Sequence, residues 1–185
     1  MLLKKPSEDL KMGDTDIWSL DDCHFYQHGT TLAMWVPPED TDKMVLQYPT
    51  RKGVSLFGAV NIRTEEFVGM VSNVFNAITF RRFLTVLKKR GNGKRMQIIL
   101  DNARYHQAKL LTQWLVDKKQ FLFLDFLPPY SPKLNPIEGV WKLLKKLRLN
   151  NQYFPDVKGF IKVVVRQLLL WSEENGIIKT LCHMK

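Results

Sequence analysis

Cysteine is almost missing from this chain of 185 residues, with only Cys23 and Cys182, and there are four histidines. No zinc spacing links these groups, and so few thiols exclude a disulfide scaffold. They read as the reduced cysteines of an intracellular protein. Acid is scarce as well. Lys and Arg number 28 against 18 Asp and Glu, a formal net charge of +10. That excess favours nucleic acid or another anionic surface as partner and says nothing about fold. Long apolar runs are absent too: FLFLDFL and FIKVVVRQLLLW are short and broken by charge, so no membrane span is expected. The opening MLLKKPSEDLKMGD turns charged at once, unlike a secretory signal. Neither internal repeats nor low-complexity tracts occur, and a soluble protein is expected.

What is present is enough to build a core. Hydrophobic residues make up 45% of the chain, which rules out a disordered basic tail and fits one domain of ordinary size. Residues 1–16 lack periodicity and read as a linker or disordered N-terminus, leaving 17–185 as the domain. Residues 17–25 read as a strand that ends in the acidic pair Asp21-Asp22. A loop-rich region follows, with room for a short strand over 32–36. Residues 54–61 and 66–72 form a hairpin, and 76–90 a helix with a basic end. The runs 96–100 and 121–127 look like strands buried on both faces. Between them 106–118 is helical, with Leu110, Leu111, Trp114 and Leu115 inward. A last amphipathic helix covers 157–174. The order is three strands, helix, strand, helix, strand, helix, helix. It points to an α/β fold, a mixed five-stranded sheet flanked by helices.

The most constrained stretch is LPPYSPKLNPIEGVWKLLKK, residues 127–146, where Pro128, Pro129, Pro132 and Pro136 fall close together. Fixed φ angles and missing donors make it a stiff loop, neither helix nor central strand. A helix start follows, with Asn135 as N-cap, Pro136 at the first position and Glu138 at the third. The helix continues through Trp141, Leu143, Leu144 and Leu147, with Lys142, Lys145, Lys146 and Arg148 on its basic side. A first-turn Glu often serves only the helix dipole or a capping box. Here a rigid loop positions the carboxylate and a lysine-rich face follows it, so a site is the better reading.

This segment resembles the third-carboxylate signature of DDE transposases, in the insertion sequence 630 branch of the mariner superfamily. Asp101 in IILDNARYH and Asp21 in IWSLDDCHF resemble the other two acids, and the resemblance covers roughly 17–148. It implies a ribonuclease-H-like fold and metal-dependent cleavage and strand transfer of DNA at transposon ends. The implied partners are double-stranded DNA, both transposon ends and target, and a homodimer is possible. The implied setting is the cytoplasm of a prokaryotic cell. Relatives carry helix-turn-helix modules upstream, and the expectation is that this chain is the catalytic part without them. Rival readings are a ribonuclease-H-like nuclease without strand transfer and a domesticated, inactive DNA-binding relic.

Asp21, Asp101 and Glu138 are therefore the candidate catalytic residues and metal ligands. Three carboxylates brought together repel one another unless cations neutralise them. All-oxygen ligands and a phosphate substrate suit Mg²⁺, with Mn²⁺ as substitute, two ions being expected. Asp22, where relatives usually have Glu, points by strand alternation to the opposite face. Asp125 is either a buried acid near the site or a partly exposed strand end. His106 either contacts metal-bound phosphate or holds Asn102 and its loop, while Asn102 supports Asp101 or the following turn. Lys142, Lys145 and Lys146 are candidates for DNA phosphates, and Tyr130 and Ser131 for the DNA backbone. The other basic cluster, from Arg81 to Arg95, reads mostly as a solvated face.

Overall fold

Alternation of apolar residues dictates the sheet, and one polar-rich strand occupies its centre. In the computed structural model, residues 15–28, 32, 51–118, 121–129, 131 and 134–173 are described. The strands are β1 (Thr15–Tyr26), β2 (Gly53–Asn61), β3 (Phe67–Ser72), β4 (Arg95–Leu100) and β5 (Leu122–Phe126). They lie in the order β3-β2-β1-β4-β5, with β1 antiparallel to β2, β2 antiparallel to β3, and β1, β4 and β5 mutually parallel. The helices are α1 (Ala77–Arg90), α2 (Lys109–Val116), α3 (Ile137–Leu144) and α4 (Val157–Ser172). This is the mixed five-stranded, ribonuclease-H-like arrangement that the sequence predicts.

Each face of the sheet buries its own apolar cluster. On one side Trp18, Leu20, Phe57 and Ile98 meet Phe80, Phe83, Leu84 and Leu87 of α1. On the other, Phe25, Leu56 and Val60 meet Val140 and Trp141 of α3 and Phe160, Val164 and Trp171 of α4. Helix α1 begins where Asn76 accepts from the amides of Ile78 and Thr79 in a capping box. Asp156 caps α4 by accepting from Gly159 N–H.

Several boundaries differ from expectation, each for a physical reason. Strand β1 does not stop at its acids: β2 continues to pair with it as far as Tyr26↔Gly53, so Asp21 and Asp22 lie mid-strand. Strand β4 alternates buried and half-buried residues and is not covered equally on both faces. β5 is an edge strand in which only Leu122 is buried, with Phe123 and Phe126 exposed. Asp125 is exposed there and accepts from Gln97 Nε2 at 2.9 Å, which settles it as a strand-edge residue. The helix expected over 106–118 starts as a 3₁₀ turn at Arg104–Gln107, and Leu110 faces solvent. After Leu144 the last helical segment widens into a π-turn, Lys145–Leu149, which shifts the phase so that Leu149 is buried and Leu147 exposed. The strand expected over 32–36 lies outside the described residues, Leu32 excepted.

One glycine controls how closely α3 approaches the sheet. Gly58 pairs with Asp21 across β1 and β2, and a Cβ built on it would sit 2.4 Å from Cη2 of Trp141 and 3.1 Å from Cδ1 of Ile137. Gly58→Ala should therefore destabilise the protein by about 1–3 kcal/mol through overpacking. Urea denaturation checks this, and a loss below about 0.5 kcal/mol would mean that the indole has room to shift.

Candidate active site

Strand β1 organises the acids because its side chains alternate between the two faces. Ser19, Asp21, Cys23 and Phe25 point toward α3, where Ser19 meets Asn135 and Ile137, and Asp21 and Phe25 meet Trp141. Asp22 points the other way and accepts a short hydrogen bond from the Tyr105 hydroxyl. The parallel ladder with β4 ends at Ser19↔Ile99. Continued two residues, that register sets Asp101 level with Asp21.

Asp21 accepts from the indole N–H of Trp141 at 3.1 Å. Burial chiefly, then the charges of Asp22 and Glu138, push its carboxyl up to about 7. The cause is plain: a desolvated carboxylate beside two others has little to balance its charge. Glu138 sits half-buried in the first turn of α3, near enough to act on Asp21 and on Cys23. Burial pushes the Cys23 thiol up to about 12, against the opposing pull of Lys145.

Asp101 follows β4 and is more open, its side chain 54% exposed. Its Oδ1 accepts from the amide of Ala103 at 3.3 Å and lies 3.2 Å from His106 Nδ1, which is also 3.1 Å from the Asp101 main-chain oxygen. The His106 hydrogen bond, more than its charge or the Ala103 amide, holds this carboxyl below the usual range against the opposing effect of burial. His106 is buried, wedged against Phe80 and Tyr105 with ring centroids 4.3 and 4.2 Å away. Asp22 is raised, first by burial and further by Asp101, with Tyr105 and His106 opposing. Burial first, then the hydrogen bond to Asp22 and the charges of Asp22, Asp101 and Asp21, raise the Tyr105 hydroxyl.

The acids thus act on one another around β1: the charges of Asp22 and Glu138 bear on Asp21, and that of Asp101 bears on Asp22. Among the described residues, no group of three or more His, Cys, Asp or Glu is already gathered as a metal site. Asn102 accepts a short hydrogen bond from Gln107 Nε2, which spans the 3₁₀ turn. Asn135 is not the N-cap of α3. Pro136 holds that place, and no side chain of the helix's own lead-in caps it. Asn135 is buried instead, its Nδ2 donating to Leu20 O at 3.2 Å. Ser131 is half-buried and donates to Pro129 O at 3.4 Å, while Tyr130 lies outside the described residues. Lys142, Lys145 and Lys146 are all exposed, and Lys145 Nζ lies 5.8 Å from the Phe25 ring centroid.

Sequence reasoning does not single out Ser19, Tyr105 or the indole N–H of Trp141 as parts of the site. A signal for the first existed: Ser19 is a polar residue in an apolar run, two positions before Asp21 and so on its face. Tyr105 and Trp141 gave none, because their partners are distant in sequence.

A family model described as DDE superfamily endonuclease matches residues 16–161. A curated relative, the uncharacterized protein y4pE/y4sA of Sinorhizobium fredii (strain NBRC 101917 / NGR234), is 32% identical over 107 residues. The match covers 57% of this chain and 76% of that protein. Among solved structures, the Mos1 transposase paired-end complex with left transposon end superposes with a TM-score of 0.69 at 15% identity, over 94% of this chain and 53% of that one. The Mos1 mariner paired-end complex with Mn gives 0.65 at 16%, over 90% and 51%. The chain spans about half the length of these Mos1 chains. At such identity the likeness is one of fold.

The raised Asp21 carboxyl makes a test of stability against pH. In the folded protein it binds its proton more tightly than at its ordinary value of 3.8, so metal-free stability falls as pH rises from about 4 to about 7 and stays low above that. Asp21→Asn keeps an acceptor for Trp141 and removes the charge. Between about pH 4 and pH 8 the wild type should lose ~2–4 kcal/mol more than the variant in denaturant melts with chelator. Parallel pH profiles would show that Asp21 is not held above its ordinary range.

Proposed function

We propose, from the premise that this chain belongs to the DDE superfamily endonucleases, that it carries out metal-dependent cleavage and strand transfer of DNA at transposon ends. The observation that carries this reading is the pairing of Asp21 and Glu138. A helix N-terminus locked to the central strand brings Glu138 near enough for its charge to act on Asp21, with an exposed lysine face beginning one turn further on. Such a pair is costly in mutual repulsion, and a divalent cation relieves that cost. The oxygen-only donor set fits Mg²⁺, or Mn²⁺ in its place, with Asp21, Glu138 and Asp101 as ligands and two ions as the expected number.

Bound divalent cations would supply Lewis-acid stabilisation for an in-line displacement at phosphorus. The chain's own residues do the rest. Trp141 fixes the rotamer of Asp21 through its indole N–H. His106 orients Asp101 and lowers the proton affinity of its carboxylate. Lys142, Lys145 and Lys146, exposed along α3 and its π-turn, meet DNA phosphates and neutralise charge near the scissile strand. Double-stranded DNA is the partner this surface suits, and a cytoplasmic setting accords with it. Among the described residues, no helix is long and apolar enough to cross a membrane.

Two measurements test this reading. Glu138→Gln should not lower the metal-free melting temperature, because Gln preserves the first-turn geometry and the lost charge relieves repulsion of Asp21. Nicking of DNA that carries the element's ends, with Mg²⁺, should nevertheless fall by about two orders of magnitude or more. Wild-type nicking by this variant would return Glu138 to a structural role and sink the assignment. Nicking without joining of the cut end to a target would leave a nuclease in place of a transposase.

Duplex binding should weaken steeply with salt and vary little with sequence, since the contacts are to phosphates. Replacing Lys145 and Lys146 by Ala should each reduce the slope of log K against log salt by about 1. A slope that stays put would remove this lysine face from the interface.

A further inference from the structure

We infer that Ser19 is a positioning residue for the Glu138 carboxylate, acting as the N-cap of α3 from a different element of the fold. The inference rests on the reading of Glu138 as a metal ligand. It reaches beyond that reading to a residue with no ligand role of its own.

An α-helix begins with amides that have no partner inside the helix, and normally the residue before it accepts from them. In α3 that residue is Pro136, which has no acceptor in its side chain. Asn135, the natural candidate one place earlier, is turned away into the sheet, donating to Leu20 O at 3.2 Å. The amide of Ile137 instead donates to Ser19 Oγ at 3.1 Å, across 118 positions of sequence. The same hydroxyl donates a short hydrogen bond to Asn135 Oδ1. Ser19 and Ile137 are fully buried and Asn135 nearly so, so water does not compete for these bonds.

The consequence is a register between strand and helix. Ser19 and Asp21 stand two residues apart on one face of β1, while Ile137 and Glu138 are adjacent in the first turn of α3. Ser19 fixing Ile137 therefore fixes where Glu138 stands relative to Asp21. Trp141 donating to Asp21 repeats the tie one turn later. Loss of the hydroxyl leaves the Ile137 amide and the Asn135 side-chain oxygen unpaired in a dry place. It also frees the start of the helix to slide against the strand.

The test uses the full chain and Mn²⁺ alone, with free Mn²⁺ followed by electron paramagnetic resonance beside the metal-free melting temperature. Ser19→Ala should raise the Mn²⁺ dissociation constant about 10–100-fold, as loss of a support behind a ligand does. Ser19→Thr, which keeps the hydroxyl, should recover most of that affinity. Where the alanine variant is too unstable to measure, Ser19→Cys keeps the volume and loses the strong acceptor, and it should show the same loss. A purely structural Ser19 would lower the melting temperature and leave Mn²⁺ affinity untouched in the folded variant, and that result would overturn the inference. If Glu138→Gln weakens Mn²⁺ binding and neither Ser19→Ala nor Ser19→Cys does, the inference alone fails. If Glu138→Gln leaves Mn²⁺ binding unchanged, the ligand reading falls and the inference with it.

Discussion

The distance between β1 and α3 is the constraint on which the site depends, and the indole of Trp141 sets it. Its ring packs against Phe25 and Phe67, its N–H ends on Asp21, and Gly58 leaves the space it fills. One side chain therefore belongs to the apolar core and the acid cluster at once. A tryptophan suits both duties because its ring buries a large area while its single donor needs a partner. That partner is Asp21, whose charge the core would otherwise exclude.

Much of this was legible in the sequence where a local signal existed. Asp101 follows an apolar run, and Glu138 follows a proline loop whose backbone has few choices, so both could be placed by neighbours alone. The sheet and its flanking helices followed from periodicity. What could not be read depends on pairing between distant segments. The length of β1 is decided by β2, not by its own acids. The exposure of β5 follows from its place at the sheet edge, which its sequence, FLFLDF, does not announce. Asn135 looked like a helix cap because the local pattern for one is complete. The buried hydroxyl of Ser19 took over that task and left Asn135 to bind the strand.

The electrostatics divide along the same line. Asp21 and Glu138 lie on the α3 side, where burial and like charge act together. Asp101 is more exposed, and the His106 ring beside it lowers its proton affinity. Asp22 belongs with Asp101 through Tyr105 and His106, which gives the second member of the acidic pair a place in the architecture, bracing the turn after β4. Neighbours in sequence thus serve opposite faces of one strand.

The early end of the β1–β4 ladder has a mechanical consequence. Antiparallel hydrogen bonds hold β1 to β2 through Tyr26, and buried contacts tie it to α3, so the Asp21–Glu138 separation is a stiff coordinate. Beyond Ser19↔Ile99 no ladder bond joins β1 to β4, so the Asp21–Asp101 separation is the compliant one. Its spring is the Asp22–Tyr105–His106 chain of side chains. Strain that arrives at this edge will be taken up by the gap between the two strands before it reaches the helix.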